Sequence, residues 1–222
     1  MGLLDTIGLT KKITRPRLYS FLSDHRSTEK TLDVGCGNSM YGDLFPNRVT
    51  MDIEARDGVT VDIIADAHDL HMIDSESFDV VLCTEVLEHL HSPAKAISEF
   101  HRVLKTGGVL IITTRFIFPL HDTPNDFFRF TKYGLKELLK EFEIKDFVEE
   151  SNTIETLAVM HQRIGFQCDT LWLKPFKIYW FITARIIMLL SRMITSEYGD
   201  IGHKKKEKNI LSSGYYVSAV KQ

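Results

Sequence analysis

Thr31-Leu32-Asp33-Val34-Gly35-Cys36-Gly37-Asn38-Ser39 decides the fold: a short apolar strand running directly into a glycine-x-glycine turn. Glycine at 35 lets the chain leave the strand sharply, and glycine at 37 lets a ligand approach backbone where a Cβ would otherwise stand. Such a pair also closes ordinary turns. It gains weight from Asp52, which ends the next β-rich run seventeen residues after Gly35. A carboxylate at that distance can accept both hydroxyls of a ribose.

Working outward, Lys30–Gly35, Arg48–Ile53, Val59–Ala65, Phe78–Thr84 and Gly108–Thr114 are runs rich in Val, Ile and Leu. Continuous runs of this kind fit strands buried on both faces, as in a parallel sheet. Helical spacing falls between and around them. Arg15–His25 places Leu18, Phe21 and Leu22 on one face. Ser92-Pro93 is a start signal for a helix whose apolar face is Ala96, Ile97, Phe100, Val103 and Leu104, with Gly107-Gly108 as its stop. Thr131 is placed to cap a second helix carrying Leu135, Leu138, Leu139 and Phe142. Strands alternating with helices predict an α/β fold with a doubly wound, Rossmann-like sheet.

The chain of 222 residues is read as one domain of residues 1–222 with an appendage before its last strand. Its 44% apolar and 26% charged residues fit a globular protein, and a net charge of -3 gives no support for a nucleic-acid partner. Cys36, Cys83 and Cys168 have neither disulfide-framework nor zinc spacing and read as reduced thiols. Met1–Leu9 is too short and too soon interrupted by cations for a signal peptide. A cytoplasmic location is the expectation.

Leu-Asp-Val-Gly-Cys-Gly-Asn-Ser from Leu32 resembles motif I of class I S-adenosylmethionine-dependent methyltransferases. The nicotinamide-binding pattern would want a third glycine where Met40 stands. Asp66-Ala67 resembles the family's third-strand motif, and Phe78-Asp79-Val80-Val81 through Glu85-Val86-Leu87-Glu88-His89 its type 11 fourth-strand motif. Arg102-Val103-Leu104-Lys105-Thr106-Gly107-Gly108 is similar to the turn before strand five, and Gly214–Val220 to the antiparallel last strand of a seven-stranded sheet. The resemblance implies S-adenosylmethionine as cofactor. Asp33 would orient the loop, Gly35, Cys36 and Gly37 would border the methionine portion, and Asp52 would hold the ribose. Asp66 and Ala67 would frame the adenine, with Thr84 completing the set.

A sulfonium already activates its methyl group, so the protein must position an acceptor and, for a hydroxyl, remove a proton. Candidate bases cluster in Phe118–Phe130, a loop expected at the carboxyl edge of the strands. His121 is the first choice and Asp126 the second, with Arg129 positioning; an Asp126–Arg129 structural pair is the alternative. The His121–Thr131 pattern resembles methyltransferases of glycan and surface-polysaccharide pathways. Glu85, Glu88 and His89 share one face if helical, and their spacing resembles the magnesium site of quinone and small-RNA O-methyltransferases; a metal is the less favoured reading.

From Leu171 to Ile210 the chain carries a charge of +5, against -8 for the remainder. Within it, Pro175–Ile194 is an apolar stretch interrupted by Lys177, Arg185 and Arg192, too charged to span a bilayer. It is read as a lid or dimer helix, or as an interfacial helix with Trp180 and Phe181 buried in lipid at the inner membrane surface. Residues 171–212 are thus expected as a helical, basic insertion ending in a mobile polar loop, Gly199–Ser213, with 213–222 as the last strand. The function expected is methyl transfer to a small or lipid-linked acceptor, at oxygen and on a sugar. The alternatives are a membrane-associated cofactor-binding protein without catalysis, and a metal-assisted O-methyltransferase.

Overall fold

The computed structural model describes residues 8–38, 41–55, 58–167, 174–194 and 196–222, without the side chains of 174–176. The readings at Ser39, Met40 and Cys168 lie outside these residues. Chain contacts divide the protein into two compact units. One comprises Leu18–Phe116, Leu120–Val148 and Tyr215–Gln222, and holds nearly all of the main sheet. The other comprises Met1–Arg17, Ile117–Pro119 and Glu149–Gly214.

The sheet unit is built from β1 (Thr31–Val34), β2 (Arg48–Asp52), β3 (Ile63–Ile64), β4 (Phe78–Thr84), β5 (Leu104–Arg115) and β6 (Phe142–Glu149). The last strand of the chain, Gly214–Lys221, joins the same sheet between β5 and β6. With that last strand written as 7, the order is 3-2-1-4-5-7-6, parallel from β3 through β5 and closed by antiparallel strands. This is the Rossmann-like arrangement expected, and its last strand lies where expected.

Both faces of the sheet are covered. Val81 and Cys83 of β4 point into the larger core with Ala96, Ile97 and Phe100 of α2 (Pro93–Val103), while Val80 and Leu82 point into a second core. There they meet Leu18, Phe21 and Leu22 of α1 (Arg15–Asp24) together with Phe45. Residues that alternate between two cores must all be apolar, which accounts for the unbroken Val80-Val81-Leu82-Cys83 run.

Three local expectations are revised. The third strand was expected over Val59–Ala65 but pairs only at Ile63 and Ile64. Asp62 explains the shortening: its carboxylate accepts from the Thr50 N–H at 2.8 Å, a donor that further pairing would use, and from the Thr50 hydroxyl at 2.7 Å. Gly107-Gly108 do not end α2, which stops at Val103, where the extended Leu104 starts β5. They form the irregularity in β5, where the register against β4 shifts after Leu104; Gly107 has φ +79° and a Cβ at Gly108 would lie 2.8 Å from the Lys105 carbonyl. Thr131 caps α3 (Lys132–Leu138) by accepting from the Gly134 N–H at 3.0 Å, but Phe142 starts β6 instead of extending that helix.

In the other unit, α4 (Thr153–Gln167) packs on α5 (Lys174–Leu189) around Ala158, Val159 and Ala184. Gly165 permits the approach, since a Cβ there would lie 3.2 Å from Trp180 Cβ. Arg17 clasps Glu155 through both guanidinium nitrogens, at 2.7 and 2.5 Å. Gly199–Ser213 was expected as a polar loop, but its first part forms a hairpin of β7 (Tyr198–Asp200) and β8 (Lys205–Lys206). The last strand, Gly214–Lys221, is β9.

Candidate active site

The carboxyl ends of β1, β2 and β3 bring the glycine turn and two acids to one edge of the sheet unit. Gly35 has φ +64°, and a Cβ there would lie 2.3 Å from Val86 Cγ2. Any side chain at 35 would therefore collide with the turn leaving β4, as well as strain the backbone. The Cys36 N–H donates to the Met51 carbonyl at 3.0 Å, tying the loop to β2. Asp52 is buried, and its Oδ2 accepts from the Gly37 N–H at 3.2 Å while Oδ1 accepts from the Ile53 N–H at 2.9 Å. Each carboxylate oxygen has more than one lone pair, so both can also take a hydroxyl. Asp33 is buried with Oδ2 3.7 Å from Arg48 Nε, a structural anion within β1.

Asp66 is half-exposed at the end of β3, and its Oδ1 accepts both the His68 N–H at 2.9 Å and His68 Nδ1 at 2.5 Å. Burial would raise this carboxyl, but the bonds from His68 outweigh it and hold Asp66 below the ordinary carboxylate range. His68 Nε2 accepts from the Ser92 N–H at 3.2 Å, so the proton lies on Nδ1 and Oδ2 of Asp66 remains to meet a ligand amino group. Arg102 anchors the following segment by donating to the Leu70 and Ile73 carbonyls at 2.8 and 2.9 Å.

These groups border a cavity of about 560 Å³, a size suited to a nucleoside-bearing ligand. Gly35, Asp52, Asp66 and Ala67 line it; Asp33, Cys36, Gly37 and Thr84 are not among its lining residues. Ile53, Glu54, His68, His91 and Phe127 also line it, none of them singled out from the sequence. The donor set suits S-adenosylmethionine: a glycine turn open to the methionine portion, an acid for the ribose, and an acid with a neighbouring alanine for the adenine.

His89, Asp122 and Asn125 line the same cavity. Glu85 leaves β4 with φ +57° and pairs with the buried Arg115, and the 3₁₀ turn begins only at Leu87 (Leu87–His89). The helical spacing assumed for Glu85, Glu88 and His89 therefore does not form. Glu88 is fully buried; its Oε2 accepts from the Thr114 hydroxyl at 2.8 Å, and burial raises its pKa. His121 stands in the place Glu85 was expected to take. Its Nε2 lies 3.8 Å from Glu88 Oε1, and its ring meets that of His89 edge-on at 4.7 Å. Glu88, His89 and His121 offer ligand atoms all within 4.8 Å of one another.

His121, expected as the first base, does not line the cavity. Burial lowers its pKa and keeps the imidazole neutral. Asp126, expected as the second base, is a fixed anion: Arg129 holds it through two bonds of 2.6 Å, and its pKa falls to about 2. His89 is the histidine the cavity reaches. Its Nδ1 lies 2.8 Å from the Asn125 carbonyl, which only accepts, so Nδ1 carries a proton, and in the neutral imidazole the lone pair is on Nε2. A sequence signal for this existed only in the Glu-His pair at 88–89, because the partner carbonyl is thirty-six residues away.

A family profile described as a methyltransferase domain matches residues 32–112, from β1 into β5. The matched residues, 32–112, form a methyltransferase domain of the class I S-adenosylmethionine-dependent kind. The ubiquinone biosynthesis O-methyltransferase of Pseudomonas syringae pv. tomato is 32% identical over 102 residues, 39% of this chain and 44% of that protein. The chain thus spans less than half the length of that curated relative. Two solved structures share the fold. A SAM-dependent methyltransferase from Archaeoglobus fulgidus has TM-score 0.55 and 16% identity, covering 93% of this chain and 94% of that one. The Burkholderia thailandensis 1,6-didemethyltoxoflavin-N1-methyltransferase, solved with its substrate and S-adenosylhomocysteine, has TM-score 0.55 and 14% identity, covering 96% and 80%. The matched span of the methyltransferase domain ends at residue 112, before His121, Asp126 and Arg129.

Proposed function

We propose that the protein methylates a hydroxyl oxygen of a small acceptor, with His89 as the base. The observation that carries this reading is His89 in the lining of the cavity that Asp52 and Asp66 also line. Its Nδ1 is bonded to the Asn125 carbonyl, so that in the neutral ring Nε2 is the nitrogen left to take a proton. S-adenosylmethionine, when bound, supplies a methyl group already activated on sulfur. Asp52 holds the ribose hydroxyls and Asp66 the adenine amino group. His89 Nε2 accepts the acceptor's proton as oxygen takes the methyl, and Nδ1–H keeps its bond to Asn125, which steadies the imidazolium that forms. His121 packs against His89 and positions it. A sugar hydroxyl, free or lipid-linked, is the acceptor favoured by the pattern from His121 to Thr131. The oxygen preference accords with the name of the Pseudomonas relative, an O-methyltransferase.

Calorimetric titration of S-adenosylhomocysteine, with NADH as control, followed by labelled-methyl transfer to a panel of sugars and lipid-linked sugars, tests the reading. Tight binding of the sulfur compound alone, with label appearing on an oxygen, is the expected result. Binding without transfer to any hydroxylated acceptor would point to the non-catalytic alternative.

A second reading is favoured by one observation: Glu88 Oε1 is buried without a hydrogen-bond partner and faces His121 and His89. A divalent cation held by those three would assist by polarising the acceptor oxygen. Transfer that falls with chelator and returns with magnesium or manganese would favour it; indifference to chelator would favour His89 acting as base.

A further inference from the structure

The basic appendage presents an outward face different from the one its sequence suggests. Phe181 is fully buried in its own unit, Trp180 packs edge-on to His161, and Arg185 donates to the Gly8, Leu9 and Lys11 carbonyls. None of the three is available to a lipid surface in the manner expected. The residues left exposed are Ile178, Tyr179, Ile182, Ile186 and Leu189, followed by Met193. At roughly 100° per residue the helical ones fall within an arc of about 100°, an apolar stripe facing away from the helix pair. Leu189 is 84% exposed and Met193 72%, values far from those of core side chains.

The hairpin that follows in the same unit repeats the pattern on a smaller scale. Ile201, at its tip, is 84% exposed. Lys204, Lys205, Lys206 and Lys208 are exposed on its returning arm, and Arg192 is exposed in the turn leading to it. Exposed apolar side chains and a cluster of exposed cations within one unit, in a chain whose net charge is -3, fit one kind of surface. Apolar groups enter the acyl boundary while lysines meet anionic headgroups. Among the described residues no helix is long and apolar enough to cross a membrane, so the contact lies in the interface. A second copy docking through this same face would fit the charges less well, because it would bring the same lysines.

We propose that α5 and the β7–β8 hairpin form a docking surface for an anionic lipid bilayer, with Ile178, Ile182, Ile186, Leu189 and Ile201 inserting and Lys204–Lys206 engaging headgroups. This inference does not rest on the methyl-transfer reading, and its test needs neither cofactor nor acceptor. The full chain is sedimented with phosphatidylcholine vesicles, and with vesicles in which about one-third of the lipid is phosphatidylglycerol. Binding is expected to the anionic vesicles only, weakening with salt. Lys204→Ala/Lys205→Ala/Lys206→Ala should raise the lipid concentration for half-binding on the order of 100-fold, at about five-fold per lysine. Ile182→Asp/Ile186→Asp should lower binding by at least about ten-fold per residue. Circular dichroism and the unfolding midpoint check that both variants stay folded. Failure of the wild-type protein to bind anionic vesicles would overturn the proposal, as would undiminished binding by a folded Ile182→Asp/Ile186→Asp. A dimer in sedimentation velocity that this variant splits, without vesicle binding by the wild type, would assign the face to a second copy instead.

Discussion

The two sides of the cavity were written into the chain in different ways. On the cofactor side, Gly35, Asp52 and Asp66 each stand at the end of a parallel strand, and pairing with the neighbouring strand fixes where that end falls. On the acceptor side, His89 ends a 3₁₀ turn and Asp122 and Asn125 sit in a loop; their roles depend on bonds such as His89 Nδ1 to the Asn125 carbonyl. Roles set by a strand end travel with the local sequence. Roles set by loop packing depend on contacts that only the folded chain defines.

The comparison can be broken most directly at His89. His89→Ala should lower kcat about 10²- to 10⁴-fold, the usual range for a lost general base, while S-adenosylhomocysteine binding stays within a few-fold. His121→Ala, acting through His89, should cost only about ten-fold; equal losses in steady-state kinetics would mean that both histidines touch the reacting atoms. On the cofactor side, Asp52→Ala should weaken S-adenosylhomocysteine binding by about 100-fold in calorimetry, through loss of charge-assisted bonds to the ribose. Unchanged affinity would move the ribose away from β2.

Asp126 sharpens the contrast. Its folded pKa of about 2 lies below its ordinary 3.8, so its stabilisation is present above pH ~4 and fades as pH falls through 2. Asp126→Asn should cost on the order of 2 kcal/mol at neutral pH and flatten the loss of thermal stability between pH 4 and 2. A variant as stable as wild type at pH 7 would show that the Arg129 pair contributes nothing. The smallest effects separate two helix starts that look alike in the sequence. Thr131→Ala should cost about 1 kcal/mol, because its hydroxyl accepts the Gly134 N–H. Ser92→Ala should change stability by less than about 0.5 kcal/mol, because the Ser92 side chain makes no capping bond to α2.

Most of the sheet was legible because β4 and β5 send apolar residues into both cores, while β1 and β2 carry Leu32, Val34 and Met51 into one core and end at the glycine turn and Asp52. β6 and α4 were not legible. Phe142–Glu149 is exposed along much of its length, and α4 buries Glu155, Thr156 and Gln162, polar residues no apolar count would assign to an interior. Partners distant in the chain explain them: Arg17 for Glu155, and the Ile13 N–H for Gln162. Within the site, the acids and glycines of the cofactor side were readable as types at a spacing. Asp126 and Arg129 were readable as a pair but not as base or brace, since burial decides between those and the sequence carries no measure of it.

The carbonyl oxygen of Glu88 accepts from both the Phe127 and Phe128 N–H groups, at 3.0 and 3.1 Å, and Phe130 donates to the Arg115 carbonyl at 3.1 Å. Lifting this segment costs three backbone bonds at about 1 kcal/mol each, so an opened form would be populated at less than about one per cent. The segment is a fixed wall and not a door. Ligand exchange would then fall to the exposed part of the cavity lining, which includes Ile53 and Glu54, and the residence time of spent cofactor would be set there.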